Sequence, residues 1–187
     1  ICQSQKETKI KNIQVHNINA LEANISNRAA LNLQGVNISH INKGDLITKK
    51  GHIRGFDGID ISFKCLKGKK LNHNQTYSLF IGAKKIEVKV LLFDCITNLE
   101  EGFATIKANE NLYTIFGEKI LLRNANDTIC GGIVLNPIID PMKKNQKRNL
   151  LEALNKKDFT NAYKELLEAH KKGLGIISST QRFALSH

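Results

Sequence analysis

The sequence predicts a mainly β protein, an antiparallel barrel or sandwich, followed by a short helical segment. Three observations carry this reading. Six or so short stretches alternate apolar and polar residues, with no helical stretch between them. The alternation stops at Asn136-Pro137 and Asp140-Pro141, where each residue before proline is held out of helical geometry. Beyond that point apolar residues recur at three- and four-residue spacing, the period of an amphipathic helix. A chain of 187 residues fits one or two domains, and 41% hydrophobic residues suffice for a packed core.

The elements follow in order. In residues 1–50, Ile13 and Val15 alternate with Gln14, and Leu31 and Leu33 with Asn32, which predicts half-buried strands. Asn42-Lys43-Gly44-Asp45 reads as a turn, with glycine supplying the permissive backbone. In residues 51–139, Ile59, Ile61, Phe63 and Cys65 form one alternating run, Tyr77, Leu79 and Ile81 a second, and Ile86, Val88 and Val90 a third. Further strands are expected near 104–108, 119–123 and 133–136. Residues 140–187 open with Lys143, Lys144, Lys147 and Arg148 on a helical run through Leu150, Leu151 and Leu154. Asp158 is the expected N-cap of a second helix carrying Phe159, Ala162, Tyr163, Leu166 and Leu167 on one stripe. Lys171 and Lys172 suit its C-terminal dipole and Gly173 its stop. The tail from Ser178 to His187 reads as no completed element, and the chain is expected to be cut at both ends.

Net charge of +11 and a pI near 9.6 favour an anionic partner, nucleic acid ahead of a membrane surface. The excess lies outside residues 51–139, where acidic and basic side chains nearly balance. The lysine clusters are Lys67, Lys69 and Lys70; Lys84 and Lys85; and Lys143, Lys144, Lys147 and Arg148. They read equally as phosphate contacts or as charges that blunt strand edges. Cys2, Cys65, Cys95 and Cys130 are too dispersed for a zinc site, and free, largely buried thiols suit a reducing cytoplasm. The six histidines show neither metal spacing nor a catalytic triad context. The four N-x-S/T sequons match chance in an asparagine-rich chain. No apolar run reaches membrane-spanning length, and no signal peptide is evident.

Asn42-Lys43-Gly44-Asp45 also spells the guanine-reading N-K-x-D pattern of GTPases. That motif works with a phosphate loop, and none is present. Gly131-Gly132, followed by an apolar strand rather than a helix, reads as structural, either a bulge or a close approach of another backbone. Arg28, just before Ala29-Ala30-Leu31-Asn32-Leu33, reads from spacing alone as a strand-end arginine in a surface ion pair.

The run Ile13-Gln14-Val15-His16-Asn17, then Asn27-Arg28-Ala29-Ala30-Leu31-Asn32-Leu33, then Lys43-Gly44-Asp45-Leu46 resembles the second barrel of selenocysteine-specific elongation factors, the SelB family. Leu71-Asn72-His73-Asn74, Ile81-Gly82, Leu122-Arg123-Asn124 and Thr128 through Pro137 resemble that family's third domain. Residues 143–172 resemble the helices leading into its winged-helix array. The resemblance implies elongation-factor-Tu-like barrels: residues 1–50 as the C-terminal half of domain II, 51–139 as domain III, and 140–187 as linker and helices. Cys130 departs from the glycine or small residue usual in the family.

The resemblance further implies a cytoplasmic factor that binds selenocysteyl-tRNA and delivers it to the ribosome at recoded UGA codons. GTP and Mg belong to the full-length protein. The selenoprotein mRNA hairpin would be bound by downstream winged helices. This stretch would hold no cofactor and no metal, would touch no membrane, and would not be an enzyme. Arg28 matches the arginine that helps line the selenocysteyl pocket; the other pocket residues match positions before Ile1. Lys84, Lys85 and Arg123 are candidate tRNA-backbone contacts. The competing expectation is a basic β-barrel RNA- or ribosome-binding module of another translational GTPase.

Overall fold

The computed structural model describes residues 1–170 and 175–184. Lys171, Lys172, Gly173 and His187 lie outside the described residues. The chain begins with strands β1 (Ile10–Val15), β2 (Ile18–Ala20) and β3 (Ala29–Leu33), hydrogen-bonded in the order β2-β1-β3. His16 and Asn17 join β1 to β2 with φ of 53° and 63°. Two consecutive positive φ angles make the type I′ turn, whose twist matches the flanking strands.

These strands form where the alternation places them: Ile13, Val15 and Leu33 are half-buried and Gln14 and Asn32 exposed, but the cover is thin. Ile18 is 71% exposed, Leu21 and Ile25 are fully exposed, and none of the residues from Ile10 to Leu33 is buried. Alternation marks which face of a strand wants cover. It does not supply the cover, and among the described residues no second layer packs on this sheet.

Six strands then close into an antiparallel barrel: β4 (Phe56–Cys65), β6 (Gln75–Ile81), β7 (Lys84–Leu92), β9 (Glu101–Leu112), β10 (Lys119–Arg123) and β11 (Thr128–Asn136). Their order around the barrel is β10-β11-β4-β9-β7-β6, with β6 pairing back to β10. Two-residue strands β5 (Leu71–Asn72) and β8 (Asn98–Leu99) pair beside it. The inward positions are the apolar phase read from the sequence. Ile59, Ile61, Leu79, Val90, Ile106 and Leu122 are at 0% exposure and fill the interior. Closure removes the unpaired sheet edge that an open β layer must otherwise protect.

Helices α1 (Lys144–Asn155) and α2 (Phe159–Ala169) form as the periodicity predicts. Asp158 caps α2 by accepting from the Asn161 amide at 3.1 Å. Leu150, Leu151, Leu154, Ala162 and Leu166 pack with Leu135 and Phe116 of the barrel side to form a second core. Phe159 stacks edge-on against Phe116 (5.3 Å) and Phe183 (5.6 Å).

A third helix, α3 (Ile176–Phe183), runs into the tail from Ser178 that the sequence alone gives no reason to read as a completed element. Its Ser-Ser-Thr-Gln centre hides any apolar period, and tertiary contacts hold it instead. The Gln181 side chain donates to the carbonyls of Arg54 and Thr114, both at 2.8 Å, and accepts from the Arg54 amide.

A chain of buried charges joins helices to barrel. Asp60, at 0% exposure, accepts from Thr105 Oγ1 (2.6 Å) and Asn136 Nδ2 (3.2 Å), and pairs with Lys147 Nζ at 2.7 Å. Asn136 Oδ1 accepts in turn from Arg182 Nη1. Arg182 grips Asp140 with two nitrogens, at 2.6 and 2.7 Å, and His170 Nε2 meets the same carboxylate at 2.7 Å. Part of the lysine cluster is therefore structural: Lys147 pairs with Asp60, while Arg148 pairs with Asp94 and lies against Phe93.

Removing one member of a buried pair leaves the other charge uncompensated. Arg182→Met is expected to lower unfolding stability by about 3–5 kcal/mol. Replacing Lys69, whose pair with Asp127 is largely exposed, should cost no more than about 1 kcal/mol. Urea titration of both variants measures the difference.

Candidate nucleic-acid interface

The outward face of the barrel carries the basic residues singled out in the sequence, and β register decides which of them meet. Phe80 of β6 stands opposite Lys85 of β7 and opposite Leu121 of β10. Arg123, two residues on from Leu121, shares their face. The Lys85 ammonium lies 6.0 Å from the Phe80 ring centre and the Arg123 guanidinium 5.8 Å from it. One aromatic ring is thus flanked by two cations, each held in place by the ring's negative face. Arg123 Nε is buried without a hydrogen-bond partner. Beyond it, a hydrogen bond from Lys69 holds the Asp127 carboxyl below the usual carboxylate range, with the Arg123 charge adding to the effect.

Lys84 is separated from this cluster. Strand alternation turns it away from Lys85, and it pairs with Glu110 at 2.5 Å, its side chain only 20% exposed. It also meets the Asn42–Asp45 turn. Gly44 has φ +92°, and a Cβ there would sit 2.6 Å from the Lys84 Cβ. The turn is closed by its own atoms: the Asp45 amide donates to the Asn42 carbonyl, and the Asp45 carboxylate accepts from the Asn42 amide. The N-K-G-D tetrapeptide is a turn docked on the barrel, and one oxygen of the carboxylate that would read a guanine already accepts from the Asn42 amide.

Arg28 stands outside the barrel, one residue before the Val15–Ala29 pair that closes the β1–β3 ladder. It is exposed. The surface ion pair expected from spacing is not formed among the described residues, so its five donors face solvent.

An open groove of about 960 Å³ runs from Phe80 across the barrel wall. Its floor is Leu121, Gly131, Gly132 and Ile133; Phe103 and Asn155 close one side, and Lys64 and Lys119 stand on the rim. The glycine pair makes the floor flat. A Cβ at Gly132 would collide with the Ser62 carbonyl oxygen of β4, so of the bulge and the close backbone approach expected for this dipeptide, the close approach is the one formed. The sequence reading missed Phe80 and Leu121, because their strands were read for the inward phase. The available signal was a large apolar residue on the polar phase of strands that also carry Lys85 and Arg123.

Among the described residues no cluster of three histidine, cysteine or acidic side chains is placed to hold a metal. No helix among them is long and apolar enough to cross a membrane.

A closed six-stranded antiparallel barrel, with a β sheet before it and short helices after it, defines the fold as that of the translation-factor β-barrel domains. More particularly, the chain is similar to selenocysteine-specific elongation factors, as the sequence motifs imply. It is 23% identical over 154 residues to the selenocysteine-specific elongation factor of Desulfomicrobium baculatum, covering 79% of this chain and 24% of that protein. It superimposes on the crystal structure of the bacterial selenocysteine-specific elongation factor EF-Sec with a TM-score of 0.76 and 22% identity, over 96% of this chain and 29% of that one. No family model matches the chain. The chain spans about a quarter of the length of the curated relative.

Because Gly132 faces backbone rather than a yielding side-chain tip, Gly132→Ala must part β11 from β4. A loss of about 1–3 kcal/mol is expected, the ordinary cost of overpacking. Gly68→Ala, where nothing lies within 4 Å, separates the steric effect from the cost of its own positive φ of +74°. Chemical denaturation of the two variants compares them.

Proposed function

We propose that this chain is the tRNA-facing β-barrel part of a selenocysteine-specific elongation factor, a cytoplasmic protein that carries selenocysteyl-tRNA to the ribosome at recoded UGA codons. The observation that carries the reading is the agreement of fold and motif along nearly the whole chain with such a factor. In this reading residues 1–50 supply the C-terminal half of domain II, 51–139 are domain III, and 140–187 lead toward winged helices that take the mRNA hairpin. The exposed Ile18, Leu21 and Leu31 fit a sheet that is one part of a larger barrel. GTP and Mg act in the full-length protein. The residues of this stretch bind and position rather than catalyse.

Arg28 is proposed to face the selenocysteyl group. A free thiol titrates near 8.5, and a selenol is more acidic, so the selenol is an anion at neutral pH while seryl and cysteinyl groups stay mainly neutral. A permanently charged guanidinium with no competing partner favours the anion. Discrimination then rests on the difference between two charge states rather than on shape. Arg123, Lys85 and the Phe80 between them are proposed to meet the tRNA backbone, with Lys84 held back by Glu110 as a weaker contributor. Fixed cations beside an aromatic ring suit phosphate and sugar contacts, which position an RNA without reading its sequence.

Two experiments test this. In the full-length factor, Arg28→Ala should weaken selenocysteyl-tRNA binding by tenfold or more, about 1.4 kcal/mol, and leave seryl-tRNA binding nearly unchanged. Equal losses for both tRNAs would instead fit a barrel module of another translational GTPase. Arg123→Ala and Lys85→Ala should each weaken binding alike for every aminoacyl group and lower the salt dependence of log K by about one unit. Filter binding across a salt series reads both quantities.

A further inference from the structure

We propose that Cys65 and Cys130 are a modification site, a dithiol at the mouth of the barrel that a hydroperoxide converts into a reversible cross-strand disulfide. Cys65 ends β4, and Cys130 lies three residues into β11. The two are direct partners in the β4–β11 ladder. The Leu66 amide donates to the Ile129 carbonyl, one residue beyond Cys65 and one before Cys130. That bond makes the cysteines a non-hydrogen-bonded pair, the type in which Cα atoms approach to about 4.5 Å and side chains converge. The spacing lies within the range of about 4.4–6.8 Å that a disulfide spans.

Both side chains point inward. Cys65 continues the Ile59, Ile61, Phe63 phase, and Cys130 belongs to the barrel core. Each thiol perturbs the titration of the other, as expected for neighbours across one ladder rung. They differ in access: Cys130 is at 0% exposure, while Cys65 is half-buried at the barrel end and its thiol also reaches the Leu99 carbonyl at 3.7 Å. Cys65 is therefore the attacking thiol and Cys130 the resolving one. Nothing need move far, because the ladder already sets the pair side by side.

The Cys65 thiolate attacks one peroxide oxygen. An S–O bond forms, the O–O bond breaks, and the leaving hydroxide takes up a proton to become water. Cys130 then attacks the Cys65 sulfur, giving up its proton. The S–S bond forms, the S–O bond breaks, and a second water departs. Two thiols lose two electrons and one hydrogen peroxide gains them. Burial raises both thiols above their usual range, so little thiolate exists at neutral pH. Well below the Cys65 pKa, the rate should climb about tenfold per pH unit.

The experiment uses the full chain with Cys95→Ser, which removes the other half-buried thiol. Hydrogen peroxide is added over a range of pH, free thiols are alkylated after unfolding, and the digest is read by mass spectrometry. The expected product is about 2 Da lighter, contains a peptide linking Cys65 to Cys130, and returns to the dithiol with dithiothreitol. Its Tm should rise by roughly 5 °C or more, since the bridge closes a long loop. Cys65→Ala should abolish both the mass change and the Tm gain. Oxidation that stops at a sulfinic acid on Cys65 while Cys130 remains alkylatable would overturn the proposal, as would a bridge from Cys65 to Cys2. The mass readout on the unsubstituted pair decides the matter even if a core variant fails to fold.

Discussion

The Asp60 carboxylate is buried in the barrel wall at 0% exposure, and the arrangement of the C-terminal elements depends on how it is satisfied. A carboxylate removed from water is tolerated only when paired and hydrogen-bonded. Here the partners come from four elements: Thr105 from β9, Asn136 from β11, Lys147 from α1 and, through Asn136, Arg182 from α3. The chain of contacts ends at Asp140, where Arg182 and His170 converge. Apolar packing of Leu150, Leu154 and Leu166 holds the helices against the barrel, but it is non-directional. The polar chain has direction, and it selects one seat among the many that an apolar patch would accept.

That division of labour leaves the rest of the barrel's outer wall open. The helices cover the Leu135 side, while Phe80, Leu121 and the glycine-floored groove stay accessible. The cations Lys85 and Arg123 sit on this open wall against an aromatic ring, and the neighbouring lysines are spent differently. Lys84 pairs with Glu110, Lys69 with Asp127 and Lys147 with Asp60. A net charge of +11 therefore does not translate into an evenly basic surface, because many of the cations are neutralised where they stand. Arg28 on the small sheet and Arg123 on the barrel are among the cations that form no ion pair among the described residues, and each leaves a guanidinium charge for an anionic ligand.

Much of the fold is legible in the sequence. The strands from Ile59 to Asn136 follow a period of two that local sterics impose, and Asp158 announces α2 through its own side chain. The Gly131-Gly132 pair was legible as structural, and the structure shows that Gly132 alone is pressed against backbone while Gly131 has ordinary contacts. The failures share a cause. Helix α3 is short with a polar centre, and its seat rests on Gln181 and Arg182, whose partners lie more than forty residues away. The first sheet shows the apolar phase but lacks the second layer that the phase invites. The candidate site was half legible: the cations were named, but the ring that joins two of them was not.

By itself, the sequence determined the class of fold, the inward face of each barrel strand, the capping of α2 and the residues that carry charge. These are local properties, written within a few residues of chain by backbone sterics and side-chain chemistry. Only the tertiary structure decided that Lys85 and Arg123 share Phe80 while Lys84 turns to Glu110, that Cys65 faces Cys130, and that a buried aspartate seats the helices. Each of these depends on register between strands distant in sequence or on helix docking. Register is set by the closure of the whole barrel, which no local window of sequence contains.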